Sequence, residues 1–209
     1  KISIMIRLIA LFTLISLTAN SQDYWQQEVH YKIQVTLNDV DHTLSATEEF
    51  EYTNNSPNAL DTIYIHLWPN AYRNGETALA QQLYSSKNDV LQYGEESDKG
   101  NIDSLDFKVD GSKVKWEYDS ENVDICYLIL DKPLQSGNSI KVSTPFKVKI
   151  PSGRISRLGH IGESYQITQW YPKPAVYDQR GWNAMPYLNQ GEFYSEYGSF
   201  EVAITLPEN

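Results

Sequence analysis

Apolar and polar residues alternate along most of the chain with the two-residue period of half-buried β-strands. The alternation is clearest in residues 31–37, 63–67, 140–150 and 200–206. Turn sequences rich in Asn, Asp, Gly and Pro separate these runs. The pattern predicts an all-β fold, either an antiparallel β-sandwich or a curled sheet, formed by one domain over residues 23–209.

Local departures from this alternation refine the prediction. Residues 125–130 are apolar on both faces, which is typical of a central strand covered on each side. Pro145 cannot donate to a sheet ladder, so it indicates an edge strand or a bulge. Residues 105–118 have the pattern of a β-hairpin. The only helix-compatible run is 76–83, within an otherwise irregular interval.

The first 22 residues have the pattern of a signal peptide rather than of a folded element. Lys1 and Arg7 precede an apolar run of about a dozen residues, which is the usual length of the apolar part of a signal peptide. That run is too short to span a membrane, which takes about 20 residues. Small and polar residues follow at 19–22. We therefore expect an exported protein, periplasmic or extracellular, with no membrane attachment after cleavage.

Charge and cysteine content exclude several functions. The net charge of −10 argues against a nucleic-acid partner, since such proteins carry basic patches. It argues equally against an anionic lipid surface. The single Cys126 lies in an apolar run, which predicts a small buried core residue.

Residues 165–207 form an aromatic segment dense in Trp, Tyr and Pro. Residues 166–171 and the run at its C-terminal end predict two strands, joined by a long irregular connection. Ordered connections of that length are usually functional. Trp170, Trp182 and the Tyr-rich run 191–198 fit either a sugar-stacking surface or a packed wall against a neighbouring domain. An exported aromatic-rich module that binds a glycan or a protein, with no enzymatic activity, is therefore one candidate function.

This aromatic segment resembles part of a known peptidase family. The resemblance is carried by residues 169–178 (QWYPKPAVYD), 181–182 (GW), 186–187 (PY), 191–198 (GEFYSEYG) and 67–72 (LWPNAY). These residues are similar to the N-terminal domain of the aminopeptidase N family of zinc metallopeptidases, the gluzincins, in its secreted bacterial form. The resemblance implies a saddle-like, non-catalytic β-domain, truncated at its C-terminal end, that helps to form the substrate cleft.

The catalytic machinery of that family has no counterpart in this sequence. A zinc peptidase uses H-E-x-x-H on a helix, a further ligand and a Glu that activates the bound water. No such motif occurs, and the four histidines are far apart in the sequence: His30, His42, His66 and His160. The resemblance thus implies that zinc and its ligands belong to a C-terminal catalytic domain that this chain lacks. This chain alone would be no enzyme. A family member whose catalytic centre has degenerated is a third possibility.

The resemblance also implies two substrate-binding residues, Gln169 and Tyr171. In the family, a strand presents Gln-x-Glu or Gln-x-Gln, and this pair helps to bind the free α-amine of a peptide. Gln169 keeps that pattern. Tyr171 departs from it, because a phenol is uncharged near neutral pH and holds an ammonium less strongly. The expected partners are a peptide substrate and the chain's own catalytic domain.

Overall fold

The computed structural model describes residues 24–208, so the predicted signal peptide lies outside the described residues. Strands dominate the described chain, and the predicted all-β fold is confirmed. In chain order they are β1 (Glu28–Asn38), β2 (Thr43–Thr53), β3 (Leu60–His66), β4 (Asn101–Asp103), β5 (Lys108–Val109), β6 (Ser112–Lys113), β7 (Lys115–Tyr118), β8 (Ile125–Leu134), β9 (Ser139–Lys149), β10 (Gly159–Ile161), β11 (Ser164–Gln166), β12 (Lys173–Pro174), β13 (Val176–Asp178), β14 (Gly181–Asn183) and β15 (Gly198–Thr205).

Two main sheets contain most of these strands. The seven-stranded sheet has the order β15-β1-β2-β9-β5-β6, with β4 also paired to β9. The four-stranded sheet has the order β12-β3-β8-β7, and β10–β11 and β13–β14 form separate pairs. Neighbouring strands are antiparallel, except that β15 runs parallel to β1, with Phe200 opposite Tyr31. The antiparallel sandwich therefore ends in one parallel edge strand.

Inward-facing residues of both sheets share one hydrophobic core. Ile33 and Phe50 come from the larger sheet, and Ile65 and Leu128 from the smaller sheet. Strand β8 is central, between β3 and β7, as predicted from its apolar sequence. Cys126 lies on β8 as a buried free thiol, which is also as predicted.

Two predicted β-features differ in the structure. Strand β9 is an interior strand, and its register with β2 runs through Pro145 without a shift, so both the edge strand and the bulge predicted from Pro145 are wrong. Pro145 is tolerated there because β5 pairs with β9 at Val142 and Ser143, β4 pairs with it from Lys147 onward, and Pro145 lies between these two ladders. The predicted hairpin is confirmed only over β5 and β6, since β7 crosses to the other sheet and pairs with β8.

The helices contribute to a second hydrophobic cluster, which includes Trp68, Leu79 and Leu91. A 3-10 helix spans Trp68–Tyr72, helix α1 spans Ala78–Ser85 and helix α2 spans Val90–Tyr93. Only α1 was predicted, and it begins after the capping residue Thr77, which accepts a hydrogen bond from the Ala80 amide. No helix within residues 24–208 is long and apolar enough to cross a membrane.

One further prediction, a strand over residues 166–171 of the aromatic segment, is wrong. Residues 167–171 are not a strand: β11 ends at Gln166, and Gln169 has a backbone φ of +53°. An extended strand requires negative φ, so the chain turns at Gln169. The strand predicted near residue 200 is present as β15, although Phe200, Val202 and Ile204 remain exposed on the inner face of the sheet.

Candidate functional site

The centre of the candidate site is a pair of buried basic residues on neighbouring strands. Lys173 on β12 lies opposite His66 on β3, and the two residues are only 5% and 1% exposed. Trp68 follows β3 directly, and its ring stacks on the His66 ring at a centroid distance of 4.4 Å. The Lys173 Nζ lies 4.0 Å from a Trp68 ring centroid. We call Lys173, His66, Trp68, Gln169 and Ser195 the lysine site.

The polar contacts of Lys173 come from the aromatic segment. Its Nζ donates to Gln169 Oε1 at 2.5 Å and lies 2.8 Å from Ser195 Oγ. Within residues 24–208 no carboxylate forms an ion pair with it, unlike other lysines of the chain. Burial lowers the pKa of Lys173 to about 7, since a desolvated ammonium is unstable without a counter-charge. At neutral pH a large fraction of this amine is therefore uncharged.

His66 is held in its neutral form. Burial, followed by the charge of Lys173, lowers the pKa of His66 to about 3. Neither ring nitrogen has a hydrogen-bond partner among the described residues. A buried polar group without a partner costs about 1–3 kcal/mol. Its position beside Lys173 is therefore maintained by the surrounding packing rather than by hydrogen bonds.

Gln169 has a backbone conformation that non-glycine residues rarely adopt. Its φ of +53° falls in the left-handed region, and residues held there cluster at ligand sites. Lys173 occupies the side-chain oxygen, so the Nε2 group of Gln169 remains as the available hydrogen-bond donor. No residue in the described range accepts a hydrogen bond from that Nε2. The side chain thus presents donors to a ligand, not an acceptor.

Tyr171 has different surroundings from Gln169. Its ring packs edge-on against Tyr31 at 5.5 Å and against Phe200 at 5.9 Å. Burial, with a smaller effect of Glu48, raises the pKa of Tyr171 to about 12. It is half-buried and remains an uncharged phenol at neutral pH. Of the two residues implied by the resemblance, only Gln169 belongs to the lysine site, through its hydrogen bond to Lys173.

Sequence reasoning missed Glu48. It lies on the inner face of β2, 3% exposed, and neither carboxyl oxygen has a partner among residues 24–208. Burial raises the pKa of Glu48 well above its usual value, because a desolvated carboxylate without a partner is disfavoured. A signal was available, because Glu48 occupies an inward position of an alternating strand, between Ala46 and Phe50. It lies outside the lysine site.

A cavity of about 630 Å³ lies beside Ser195, and we call it the aromatic cavity. Trp25 and Tyr177, which line it, stack at a centroid distance of 5.6 Å. Burial raises the pKa of Glu196 in its wall to about 6. The remaining lining residues include three tyrosines and one ion-paired Arg and Asp: Tyr24, Tyr194, Tyr197, Arg180 and Asp178.

The two tryptophans considered for sugar stacking already pack against protein rings. Trp170 lies 5.9 Å from Phe146 and also contacts Tyr171. Trp182 packs against Tyr52, Tyr64 and Tyr177. Both are half-buried. This packing favours their interpretation as parts of an aromatic wall.

Two histidines that are distant in the sequence meet in the structure. The rings of His42 and His160 stack at a centroid distance of 3.6 Å, and His42 Nδ1 lies 2.7 Å from the Tyr165 hydroxyl. No third ligand joins them: residues 24–208 contain no group of three or more His, Cys, Asp or Glu that could hold a metal. The described residues therefore do not fit the ligand set of a catalytic zinc.

Comparisons with known proteins give matches among solved structures. No family model and no curated protein sequence matches the chain. The fold is similar to zinc metallopeptidases of the M1 class. One is the M1 zinc metallopeptidase from Deinococcus radiodurans, at 13% identity and a TM-score of 0.46, over 88% of this chain and 33% of that one.

A mutant of that peptidase bound to a Tyr-Ser-Ala substrate matches at 13% identity and a TM-score of 0.45, over 87% of this chain and 33% of that one. Native leukotriene A4 hydrolase from Saccharomyces cerevisiae matches at 12% identity and a TM-score of 0.35, over 62% of this chain and 17% of that one. The chain thus spans about a third of the length of the bacterial peptidase.

Proposed function

We propose that this chain is the non-catalytic N-terminal β-domain of an exported zinc metallopeptidase, aminopeptidase-like, and forms one wall of its substrate cleft. The observation that carries the proposal is the backbone conformation of Gln169 together with its hydrogen bond to Lys173. The sequence resemblance assigns this residue to substrate binding, and it has left-handed backbone and a side-chain oxygen fixed by Lys173. Such pre-organisation reduces the entropy lost when a ligand binds.

The geometry of Gln169 specifies what part of a peptide it would contact. Its free Nε2 group donates, so it suits a peptide carbonyl or carboxylate oxygen rather than an α-ammonium. Tyr171 adds no negative charge. We therefore propose peptide hydrolysis that depends less on a free N-terminus than in family members with an acidic residue at that position.

Zinc would be supplied by ligands outside this chain. In the whole protein the metal would provide the activated water for peptide hydrolysis. The role of the present chain would be to bind and orient the peptide. The proposed partners are a peptide substrate and the C-terminal catalytic domain of the same protein. The exported location is a further proposal, which rests on residues 1–22.

The proposal is tested by measuring zinc content and peptide hydrolysis of the longer protein and of this chain alone. We expect the longer protein to bind about one zinc per molecule, as catalytic zinc sites do, and to hydrolyse the peptide. We expect neither property from this chain alone. N-acetylated and free peptides of the same sequence should both be cleaved. Absence of both zinc and hydrolysis from the longer protein would reject the peptidase assignment.

The aromatic cavity supports a second candidate, an exported binding module for a glycan or protein. Tyr24 and Tyr197 in its wall are 82% and 83% exposed, so their rings are open to a sugar face. Titrating this chain with soluble oligosaccharides tests this function. Saturable binding that Trp25→Ala abolishes, and that Trp182→Ala preserves in a folded variant, would favour the module over the peptidase domain.

A further inference from the structure

The three contacts of the Lys173 amine differ in the chemistry they allow. Gln169 Oε1 can only accept a hydrogen bond, and the Trp68 ring face offers only π-electron density. Ser195 Oγ, at 2.8 Å, is a hydroxyl that can donate or accept. When Lys173 is uncharged, its lone pair therefore has one donor available to it, the hydroxyl of Ser195.

The surroundings of Lys173 favour that uncharged form. The residue is 5% exposed, and no carboxylate among the described residues forms an ion pair with it. His66, the neighbour across the strand pair, is itself a base and offers no counter-charge. A desolvated lysine in such a setting acts as a general base, and serine–lysine pairs are a known alternative to the serine–histidine pair.

Ser195 also has room for a reacting group. It lies in the connection between β14 and β15, is exposed, and lines the aromatic cavity of about 630 Å³. The aromatic residues that line this cavity include Phe193 and Tyr194, which precede Ser195 in the sequence, and Tyr177 on β13. The serine therefore has a buried base on one side and an aromatic-lined space adjacent to it.

We propose that Ser195 is a nucleophile activated by Lys173, and that the aromatic cavity takes a carboxylic ester with an aromatic or apolar group. This activity is separate from the peptidase proposal, in which the domain is non-catalytic only toward peptides, and it needs no metal. Lys173 Nζ accepts the hydroxyl proton as Ser195 Oγ bonds to the ester carbonyl carbon. The bond to the leaving alkoxide then breaks, and that oxygen takes the proton from Lys173.

The second half of the reaction restores the site. Water attacks the acyl-serine while Lys173 accepts one of its protons. The bond between the acyl carbon and Ser195 Oγ breaks, and the proton returns to Ser195. The net reaction consumes ester and water and releases an alcohol and a carboxylic acid, so no oxidant, reductant or cofactor is required.

The chain offers an internal control in Ser199. Its Oγ lies 2.5 Å from His30 Nδ1, and His30 Nε2 lies 3.0 Å from Glu28 Oε1. This serine–histidine–glutamate array lies on the open face of β1 and β15, where the His30 and Glu28 side chains are 49% and 56% exposed. Water competes for every group there, so we expect Ser199 to be unreactive.

An alkyl fluorophosphonate probe, followed by peptide mass spectrometry, tests the proposal on this chain. We expect one adduct, on Ser195, absent in Ser195→Ala and unchanged in Ser199→Ala. In folded Lys173→Met the labelling rate should fall at least about a hundredfold, the lower end of the range for loss of a general base. Absence of an adduct on Ser195 overturns the proposal, as does labelling of Ser199 in its place or an unchanged rate in Lys173→Met.

A pH profile of the unmodified chain replaces the lysine variant if Lys173→Met does not fold. Labelling should rise about tenfold per pH unit at acidic pH and level off near neutrality, as expected for a base that must be deprotonated. His66 stays neutral across this range, and Glu196 titrates near pH 6, so Glu196→Gln removes its contribution. A flat profile in Glu196→Gln overturns the role of Lys173.

Discussion

Lys173 and His66 lie opposite each other across the β3–β12 pair, and both basic side chains are buried against Trp68. Like charges directly opposite on neighbouring strands destabilise a sheet. Here burial lowers the pKa of His66 to about 3 and that of Lys173 to about 7, so both are rarely charged together. The fold therefore keeps two unprotonated bases at one place, and its stability should depend on pH.

Replacement of Lys173 by Met should flatten the alkaline part of the stability profile. The pKa of Lys173 is about 7 in the folded chain against 10.5 in an unfolded one. Between these values the unfolded state binds more protons, so the unfolding free energy of the wild type rises with pH. We expect the stability of Lys173→Met, relative to wild type, to fall by more than about 1 kcal/mol from pH 7 to pH 10, since one pKa unit corresponds to about 1.4 kcal/mol.

Urea denaturation at both pH values measures this difference. Lys147→Met, at an exposed position of β9, is a suitable control for loss of a lysine. Parallel profiles for wild type and Lys173→Met would contradict the lowered pKa.

Replacement of His66 by Phe should stabilise the protein, most of all in acid. Phe keeps the stack on Trp68 and removes two unpartnered nitrogens, which is worth about 1–3 kcal/mol. Below pH 6.5 the unfolded wild type binds a proton on His66 that the folded state does not bind until about pH 3. The advantage of His66→Phe should therefore widen from pH 7 to pH 4.

The effect of His66→Phe must be read as the difference in unfolding free energy from the wild type, because other groups titrate in the same pH range. Burial raises the pKa values of Asp124 and Glu196 to about 6, and these groups favour the folded state as pH falls. They oppose the effect of His66 in the same range but cancel in the difference between the two proteins. If the stability difference between His66→Phe and wild type became smaller in acid, His66 would be accessible to protons in the folded state.

Glycine and alanine at position 169 should separate backbone strain from side-chain contact. Both variants lose the hydrogen bond to Lys173, but only Gly adopts the observed φ of +53° without a Cβ penalty. We expect Gln169→Gly to be more stable than Gln169→Ala by about 1 kcal/mol. Thermal unfolding of the two variants measures this. A more stable Ala variant would show that residue 169 is not left-handed in solution.

Removal of the Thr77 hydroxyl should destabilise helix α1. Thr77 Oγ1 accepts from the Ala80 amide at 3.2 Å and donates to the Ala71 carbonyl at 2.7 Å. Loss of such a cap costs about 1 kcal/mol, and Thr77→Ser should recover most of it. Chemical denaturation of the Ala and Ser variants is the measurement. Equal loss in both would mean that the methyl group, not the hydroxyl, stabilises this end.

The strands were predictable where their signal is local. In β1 and β2 the inward residues, such as Ile33 and Phe50, alternate with polar ones, and that pattern needs no knowledge of partners. The position of Pro145 was not predictable in this way. Its tolerance depends on where β4 and β5 meet β9, and this pairing joins residues far apart in the sequence.

The candidate site was predictable only in part, for the same reason. The resemblance led to Gln169, and its local motif includes Lys173 as one residue among many. That Lys173 is buried beside His66, Trp68 and Ser195 follows from the β3–β12 pairing and from the path of the connection before β15. No spacing in the sequence encodes these contacts.

The most direct test of the proposed role is the kcat/KM of the longer protein for one peptide, measured with wild type, Gln169→Ala and Gln34→Ala. Gln34 is an exposed glutamine on β1 and serves as the matched control. We predict a fall of at least about tenfold for Gln169→Ala, the effect of losing one buried hydrogen bond to substrate, with zinc content unchanged. Equal kcat/KM in all three proteins would contradict the assignment of Gln169 to the substrate cleft.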